Sequence, residues 1–219
     1  MNVDYLKESF FDKVIYFLTL SIIKILRILL GVFGSRIELR NIRRYLKEKR
    51  QVILACTHEK WFDIPLSALI AKKKLRYIAK KELFKGSGFV NWWLNRVKAI
   101  PLDRDKPSMM TIKCAIQTLK NGHWLVVFPE GTRIIEKKFE EIESGIASIA
   151  LLCKGDDRPL IVPVAIVYSI KRSAIGFPKH VIIECGDSID AKNFSDKRVL
   201  TAELANKMKA LYQSTIDHL

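Results

Sequence analysis

The sequence predicts an α/β fold, a mostly parallel central sheet with helices on both faces, plus an N-terminal membrane-associated helical element. Three observations carry that expectation. Short β-rich runs alternate with helical patterns from about residue 50 onward, the arrangement that gives parallel strands joined by crossover helices. The 219 residues are 49% hydrophobic, enough for one domain with a full core. Finally, Phe10 to Phe33 is almost wholly apolar, FFDKVIYFLTLSIIKILRILLGVF.

That first stretch is interrupted only by Asp12, Lys13, Lys24 and Arg27. Its longest uncharged run, Val14 to Ile23, is about half the roughly twenty residues a simple span needs. Asp4 and Glu8 dilute any signal-peptide n-region, and no small-residue cleavage site follows. On a helical wheel Lys13, Lys24 and Arg27 fall within a ~60° arc, with Tyr16 and Leu20 alongside. The pattern reads as a helix lying in the membrane interface, its cations snorkelling to the headgroups. A span, a re-entrant hairpin and a packed core helix are the alternatives. Next comes a basic run with Arg36, Arg40, Arg43, Arg44, Lys47, Lys49 and Arg50 against Glu38 and Glu48. Alone it reads as a solvated helix face. Beside an apolar helix it reads as an anionic-lipid contact, at ~1 kcal/mol per cation near the surface.

Strands are expected at Val52–Cys56, Leu75–Ala79, Lys98–Leu102, Trp124–Phe128, Ile161–Tyr168 and Val181–Cys185. Helices are expected at Pro65–Lys72, at Ser108–Lys120 stopped by Asn121-Gly122, and at Glu141–Lys154 stopped by Gly155. A last helix runs from about Lys197 to Ile216, with Val199, Leu200, Leu204, Met208 and Leu211 at helical spacing. Residues 1–35 are read as the interfacial element and 36–219 as one α/β domain, with no internal repeat or linker.

Composition narrows the function classes. Lys plus Arg is 38 and Asp plus Glu is 23, a net charge of +15 that calls for a polyanionic partner. Nucleic acid is set aside, because aromatics are not interleaved with the basic run and no known module is present. Disorder is excluded by the apolar content. Cys56, Cys114, Cys153 and Cys185 lie far apart, with neither C-x-x-C nor zinc-finger spacing, and read as reduced buried thiols in a cytosol-facing protein.

Four polar clusters each follow the carboxyl end of an expected strand. They are Thr57 to Asp63, Lys80-Lys81, Asp103-Arg104-Asp105, and Pro129 to Arg133. Ligands of open parallel sheets bind in the crevice at those ends, so parallel strands would gather all four. His58 and Asp63 would not meet on a regular helix, being ~140° apart. Ile64 before Pro65 disfavours helix there, so 57–63 is expected to be a loop that lets Asp63 fold back on His58. A carboxylate on one ring nitrogen fixes the tautomer and leaves the other to act as base. No G-x-S-x-G elbow supplies a serine, so the base would act on a hydroxyl of the substrate. An ordinary helix entry with a surface His58 and a Cys56 thiol nucleophile are the competing readings. Around Phe128-Pro129-Glu130-Gly131-Thr132-Arg133, backbone donors, a hydroxyl and a guanidinium suit a phosphate. Lys80 and Arg104 add cations. His123, His180 and His218 have no partners at ligand spacing, so no metal site is expected.

His58-x-x-x-x-Asp63 and Phe128-Pro129-Glu130-Gly131-Thr132-Arg133 resemble the signature blocks of the glycerolipid acyltransferases, notably the 1-acylglycerol-3-phosphate (lysophosphatidate) acyltransferases. Ala79-Lys80-Lys81-Glu82-Leu83-Phe84, Ile100-Pro101-Leu102-Asp103-Arg104 and Ile161-Val162-Pro163-Val164 fit further blocks in order, so the resemblance runs from about Arg50 to Tyr168. It implies an α/β acyltransferase fold with a membrane-embedding N-terminal element. It also implies acyl transfer from acyl-CoA or acyl carrier protein to the free sn-2 hydroxyl of 1-acylglycerol-3-phosphate, giving phosphatidate, without a bound cofactor; transfer to another lysolipid head group is the alternative. By the same resemblance His58, Asp63 and Glu130 are catalytic, with His58 the base and Asp63 its orienting partner. Lys80, Arg104, Gly131, Thr132 and Arg133 serve the acceptor phosphate or the oxyanion. The sequence departs from the family pattern at Thr57-His58-Glu59-Lys60, where Asn-His-Gln-Ser is common. Arg96-Val97-Lys98 stands in place of a Gly-containing run, and Ile134-Ile135-Glu136 in place of a Ser-rich one. The expected location is the cytoplasmic face of a bacterial inner membrane.

Overall fold

The computed structural model describes residues 3–45, 47–70, 73–86, 88–103, 108–131, 133, 139 and 142–219. Eight strands form one sheet: β1 (Arg36–Arg40), β2 (Val52–Cys56), β3 (Leu75–Lys80), β4 (Ile100–Leu102), β5 (Trp124–Val127), β6 (Leu160–Tyr168), β7 (His180–Cys185) and β8 (Ile189–Asp190). The order is β1-β7-β6-β2-β5-β3-β4, with β8 added to β6. β2 to β6 are mutually parallel, whereas β7 is antiparallel to β6 and carries β1 parallel to itself. Six α-helices accompany the sheet: α1 (Phe10–Val32), α2 (Asp63–Ser67), α3 (Phe89–Arg96), α4 (Met109–Lys120), α5 (Gly145–Leu152) and α6 (Lys197–Ile216).

The core explains why the central strands read as unbroken apolar runs. All five residues of β2 are buried. Ile53 and Ala55 pack with Cys114, Ile146, Leu200 and Leu204 of α4, α5 and α6. Val52, Leu54 and Cys56 pack on the other face with Leu66 and Ile70 at and after α2. A strand covered on both faces has no polar side to alternate with. Helix starts follow local capping. Ser108 accepts from Thr111 N at 3.3 Å at α4, and Asp196 accepts from Arg198 N and Val199 N at 2.6 and 3.0 Å at α6.

Several expectations are corrected. The basic run is not a helix. Arg36-Ile37-Glu38-Leu39-Arg40 alternates polar and apolar and forms the edge strand β1, with Ile37 buried. Three of its cations serve the fold. Arg40 bonds Glu38 at 2.7 Å, Arg44 pairs with Asp187, and Arg50 holds Asp190 through two bonds of 2.7 and 2.8 Å. The expected strand from Lys98 starts at Ile100, because 96–99 close α3, a helix the sequence reading did not anticipate. Ala99 N donates to Leu94 O and Lys98 N to Asn95 O, the double bond of a Schellman cap, with Lys98 at φ +55°. Glycine is favoured at that backbone position, where Lys98 replaces the family's Gly-containing run. Of the helices expected at 65–72 and 141–154, the described residues form Asp63–Ser67 and Gly145–Leu152, and residues 71, 72 and 141 lie outside the described residues.

Part of the polar stripe of α1 faces the protein: Tyr16 and Arg27 bond to it, while Lys13 and Lys24 are exposed. Asp12 is 2% exposed and pairs with Arg96 and Lys98 at 3.3 and 3.2 Å. Leu75 N donates to the buried Tyr16 hydroxyl at 2.7 Å, Trp93 Nε1 to Thr19 Oγ1 at 3.2 Å, and Arg27 Nη2 to Ile37 O at 3.3 Å. Just before α1, Glu8 pairs with Lys74 and Arg76, and Leu6 enters the core. The opposite, apolar face of α1 is exposed, and the helix is long and apolar enough to cross a membrane. Its character fits membrane association.

Candidate active site

Four neighbouring parallel strands, β2, β5, β3 and β4, end at one edge of the sheet. The described members of the polar clusters after them, 57–63, Lys80, Lys81, Asp103, 129–131 and Arg133, therefore follow strand ends at that edge. Thr57 prolongs β2: its N donates to Val164 O at 3.0 Å, and its hydroxyl accepts from Ile166 N at 2.9 Å. The chain then turns away, and Asp63 opens α2 one short loop later.

Asp63 is fully buried and organises that loop. Its Oδ2 lies 2.9 Å from His58 Nδ1 and accepts from Glu59 N and Lys60 N at 2.6 and 2.7 Å. Its Oδ1 accepts from the Tyr168 hydroxyl. A buried carboxylate needs such donors to stay charged. Tyr168 is in reach because β6 pairs with β2 at Cys56↔Val164 and then runs four residues further, past the end of β2 and alongside the loop. Burial, and then the charge of Asp63, push the Tyr168 phenol far up, so it stays a neutral donor. Lys60 lies over the Tyr168 ring, 4.4 Å from its centroid, and pairs with Glu59. The extra charges beside the base are thus paired with each other.

The second loop braces the first. Glu130, 8% exposed, accepts from His58 N through Oε1 at 3.1 Å, and the Phe128 ring lies 4.4 Å from the imidazole. Gly131 N closes a turn on Phe128 O at 3.1 Å, and Gly131 sits at φ +69°. A Cβ there would meet only Glu143 Cγ at 3.6 Å, so glycine is required by conformation, not by space. Arg133 is exposed on the same loop. Lys80 is half-exposed at the end of β3, two strands along from β2, and lies 3.7 Å from Glu82. Thr132 and Arg104 lie outside the described residues. His58, Asp63 and Glu130 are therefore in direct contact, while Lys80, Gly131 and Arg133 share the edge.

Cys56, the competing nucleophile, is wholly buried, and burial together with Cys185 and Asp63 pushes its thiol well up. It is a core thiol and not a reactive thiolate. Among the described residues no cluster of His, Cys, Asp or Glu is arranged to hold a metal ion. A groove of about 990 Å³ lies between Lys24 and Arg27 of α1 and the Ile42–Arg44 turn, and His58 does not line it.

Residues 36–167 match the family model described as Acyltransferase. The chain belongs to the acyltransferase family. It is 36% identical over 104 residues to the 1-acyl-sn-glycerol-3-phosphate acyltransferase of Bacillus subtilis, covering 47% of this chain and 51% of that protein. It is 28% identical over 191 residues to the enzyme of the same name from Streptococcus pneumoniae, covering 85% and 68%. The chain thus spans about half the length of the Bacillus relative it matches. The crystal structure of the 1-acyl-sn-glycerophosphate (LPA) acyltransferase PlsC from Thermotoga maritima shares the fold. Its TM-score is 0.67 at 22% identity, over 96% of this chain and 85% of that one.

Two side chains at the site escaped the sequence reading. Tyr168 was legible only as the end of a strand, and Phe128 only as the start of a motif. Both reach His58 and Asp63 through the neighbour relations of β2 with β6 and β5, which no local pattern encodes.

Proposed function

We propose that this chain moves a fatty acyl group from acyl-CoA or acyl carrier protein to the sn-2 hydroxyl of 1-acylglycerol-3-phosphate, giving phosphatidate. The observation that carries the reading is the buried Asp63 held 2.9 Å from His58 Nδ1 at the carboxyl edge of a parallel sheet. With Nδ1 committed to Asp63, Nε2 is the nitrogen that takes the proton as the acceptor hydroxyl attacks the thioester carbonyl. Asp63 holds the tautomer and stabilises the imidazolium. Glu130 acts through the His58 backbone as a positioning residue. Backbone donors around Gly131 meet the tetrahedral oxyanion, and Lys80, Arg104, Thr132 and Arg133 bind the acceptor phosphate. Collapse of the tetrahedral intermediate breaks the thioester C–S bond, and the departing thiolate of the donor takes the proton from Nε2, so transfer is direct, without an acyl-enzyme and without a metal or other cofactor. Residues 1–35 act as the membrane element of the α/β domain 36–219. The site works at the cytoplasmic face of the inner membrane, where four reduced thiols are at home.

Full-length protein in phospholipid vesicles is the test, with labelled acyl-CoA and acyl carrier protein offered against a panel of lysolipids. Phosphatidate formed from 1-acylglycerol-3-phosphate, at least ~10²-fold lower in His58→Ala and retained in Cys56→Ser, supports the reading. Product from a different lysolipid head group reassigns the acceptor. Full turnover in His58→Ala overturns the mechanism.

A further inference from the structure

The helix that the sequence reading missed carries an apolar surface with no role in the core. Along α3, Leu94 is buried in a small cluster with Val97 and Ala99, and Trp93, Tyr77, Ala79 and Phe84 pack against that cluster. Phe89, Val90 and Trp92 point outward, 74%, 53% and 40% exposed, with the Phe89 and Trp92 rings stacked at 5.7 Å. Three large apolar side chains on the outer face of an eight-residue helix mark an interaction surface, not random exposure.

That surface is continuous with α1. One turn beyond Trp92, Arg96 lies over the Phe11 ring at 5.4 Å and pairs with Asp12. Phe10 and Phe11 are themselves exposed and lead into Phe17, Leu18 and the rest of the apolar face of α1. The two helices are joined by the Trp93–Thr19 bond, so they present one apolar sheet of side chains. Its rim is cationic: residues 80–96 carry Lys80, Lys81, Lys85 and Arg96 against the single carboxylate Glu82. Exposed Leu83 stands among those lysines on the Lys81–Phe84 turn. Aromatic anchors ringed by cations suit the headgroup region of an anionic bilayer.

We propose that α3 is a second membrane-inserting element, with Phe89, Val90 and Trp92 entering the headgroup region of an anionic bilayer beside α1. The proposal rests on the reading of α1 as membrane-facing and adds a surface that reading does not need. It also gives α1 an orientation. Glu8, Asp12, Tyr16, Thr19 and Arg27 anchor its polar side to the domain. An α1 standing upright across the bilayer would break those anchors, so both helices lie in the plane of one leaflet. β3 and β4, which flank α3 in sequence, then bring the ends that carry Lys80 and Asp103 to the lipid surface.

The experiment uses full-length chain with vesicles of phosphatidylglycerol and phosphatidylethanolamine. A polarity-sensitive fluorophore is placed at Val90→Cys, at Ile25→Cys on α1, or at Val199→Cys on α6, which covers the other face of the sheet. Blue shift and quenching by headgroup-depth nitroxide lipid at positions 90 and 25, but not at 199, is the expected result. A Phe89→Ser/Val90→Ser/Trp92→Ser variant should bind these vesicles at least about tenfold more weakly, given the apolar area withdrawn. Its far-UV spectrum and melting should match wild type, because none of the three is in the core. A label at 90 that stays in water while the label at 25 is quenched overturns the proposal, leaves α1 as the anchor, and makes a protein partner the occupant of this face. Water at both positions overturns the reading of α1 as well.

Discussion

Asp63 shows how much one buried carboxylate can organise. Three backbone and ring nitrogens and one phenol converge on its two oxygens, and the loop shape of 57–63 follows from them. Tyr168 is the member of this set that can be removed without touching His58. A hydrogen bond to a charged group contributes ~1.5–3 kcal/mol, so Tyr168→Phe should lower kcat by about tenfold or more with little change in either KM. An unchanged melting point in Tyr168→Phe separates this from simple damage, and wild-type kcat in that variant would remove Tyr168 from the mechanism.

Among the elements, α1 has the most divided sequence. Its apolar face dominates the composition, yet its few polar residues decide where it sits. Asp12 completes a capping box with Ser9, through bonds of 2.9 and 3.1 Å, and neutralises Arg96 and Lys98 at the end of α3. Asp12→Ala should therefore cost a cap of ~1 kcal/mol and leave two cations without their carboxylate, for a total of ~2–4 kcal/mol. Hydrogen exchange should quicken in the first turns of α1 and in α3, and stay unchanged in β2 and β6. Ser9→Ala should show only the smaller, capping part. Protection of α1 identical to wild type in Asp12→Ala would show that the apolar packing of Leu6 and Leu30 alone holds the helix. The basic run after α1 teaches the complementary lesson. Charge counting sees seven cations, whereas the period-2 alternation in Arg36–Arg40 marks the strand.

At the scale of the whole molecule, the N-terminal segment is tied into the domain it precedes. Leu6 is buried against the α4–α6 face, and Glu8 pairs with the buried Arg76. Deleting residues 1–35 should thus lower stability as well as release the protein from vesicles, and point variants are the cleaner probes. The cationic cluster at the start of β3 and β5 gives a global pH dependence. His123 is pushed down to about 4, first by burial and then by Arg76 and Lys74. Its folded pKa lies below the unfolded ~6.5, so the unfolded chain binds the proton first. Stability is full above pH ~6.5 and falls as pH drops toward 4, by up to about 3 kcal/mol. His123→Gln should flatten that segment of the denaturation midpoint against pH. An unchanged slope between pH 6.5 and 4 would assign the acid sensitivity elsewhere.

Local pattern alone determined the alternation of β2, β3, β5 and β6 with α4 and α6 and the loop form of 57–63, and it left the contact between His58 and Asp63 open beside an ordinary helix entry. Each depends on neighbours in sequence: burial on both faces of a strand, a cap, or a proline that bars helix at the residue before it. The resemblance through His58-x-x-x-x-Asp63 and the Phe128–Arg133 block fixed the family for the same reason. Only the tertiary structure decided which side of α1 meets protein, that Arg36–Arg40 is an edge strand, that α3 exists and faces outward, and that Tyr168 and Glu130 hold the catalytic loop. These depend on strand order and on bonds between residues far apart in the chain, such as the hydrogen bond from His58 N to Glu130 and the ion pair of Asp12 with Lys98. Sequence periodicity carries the burial of a residue but not the identity of its neighbour. The neighbour is set by how the sheet closes its order.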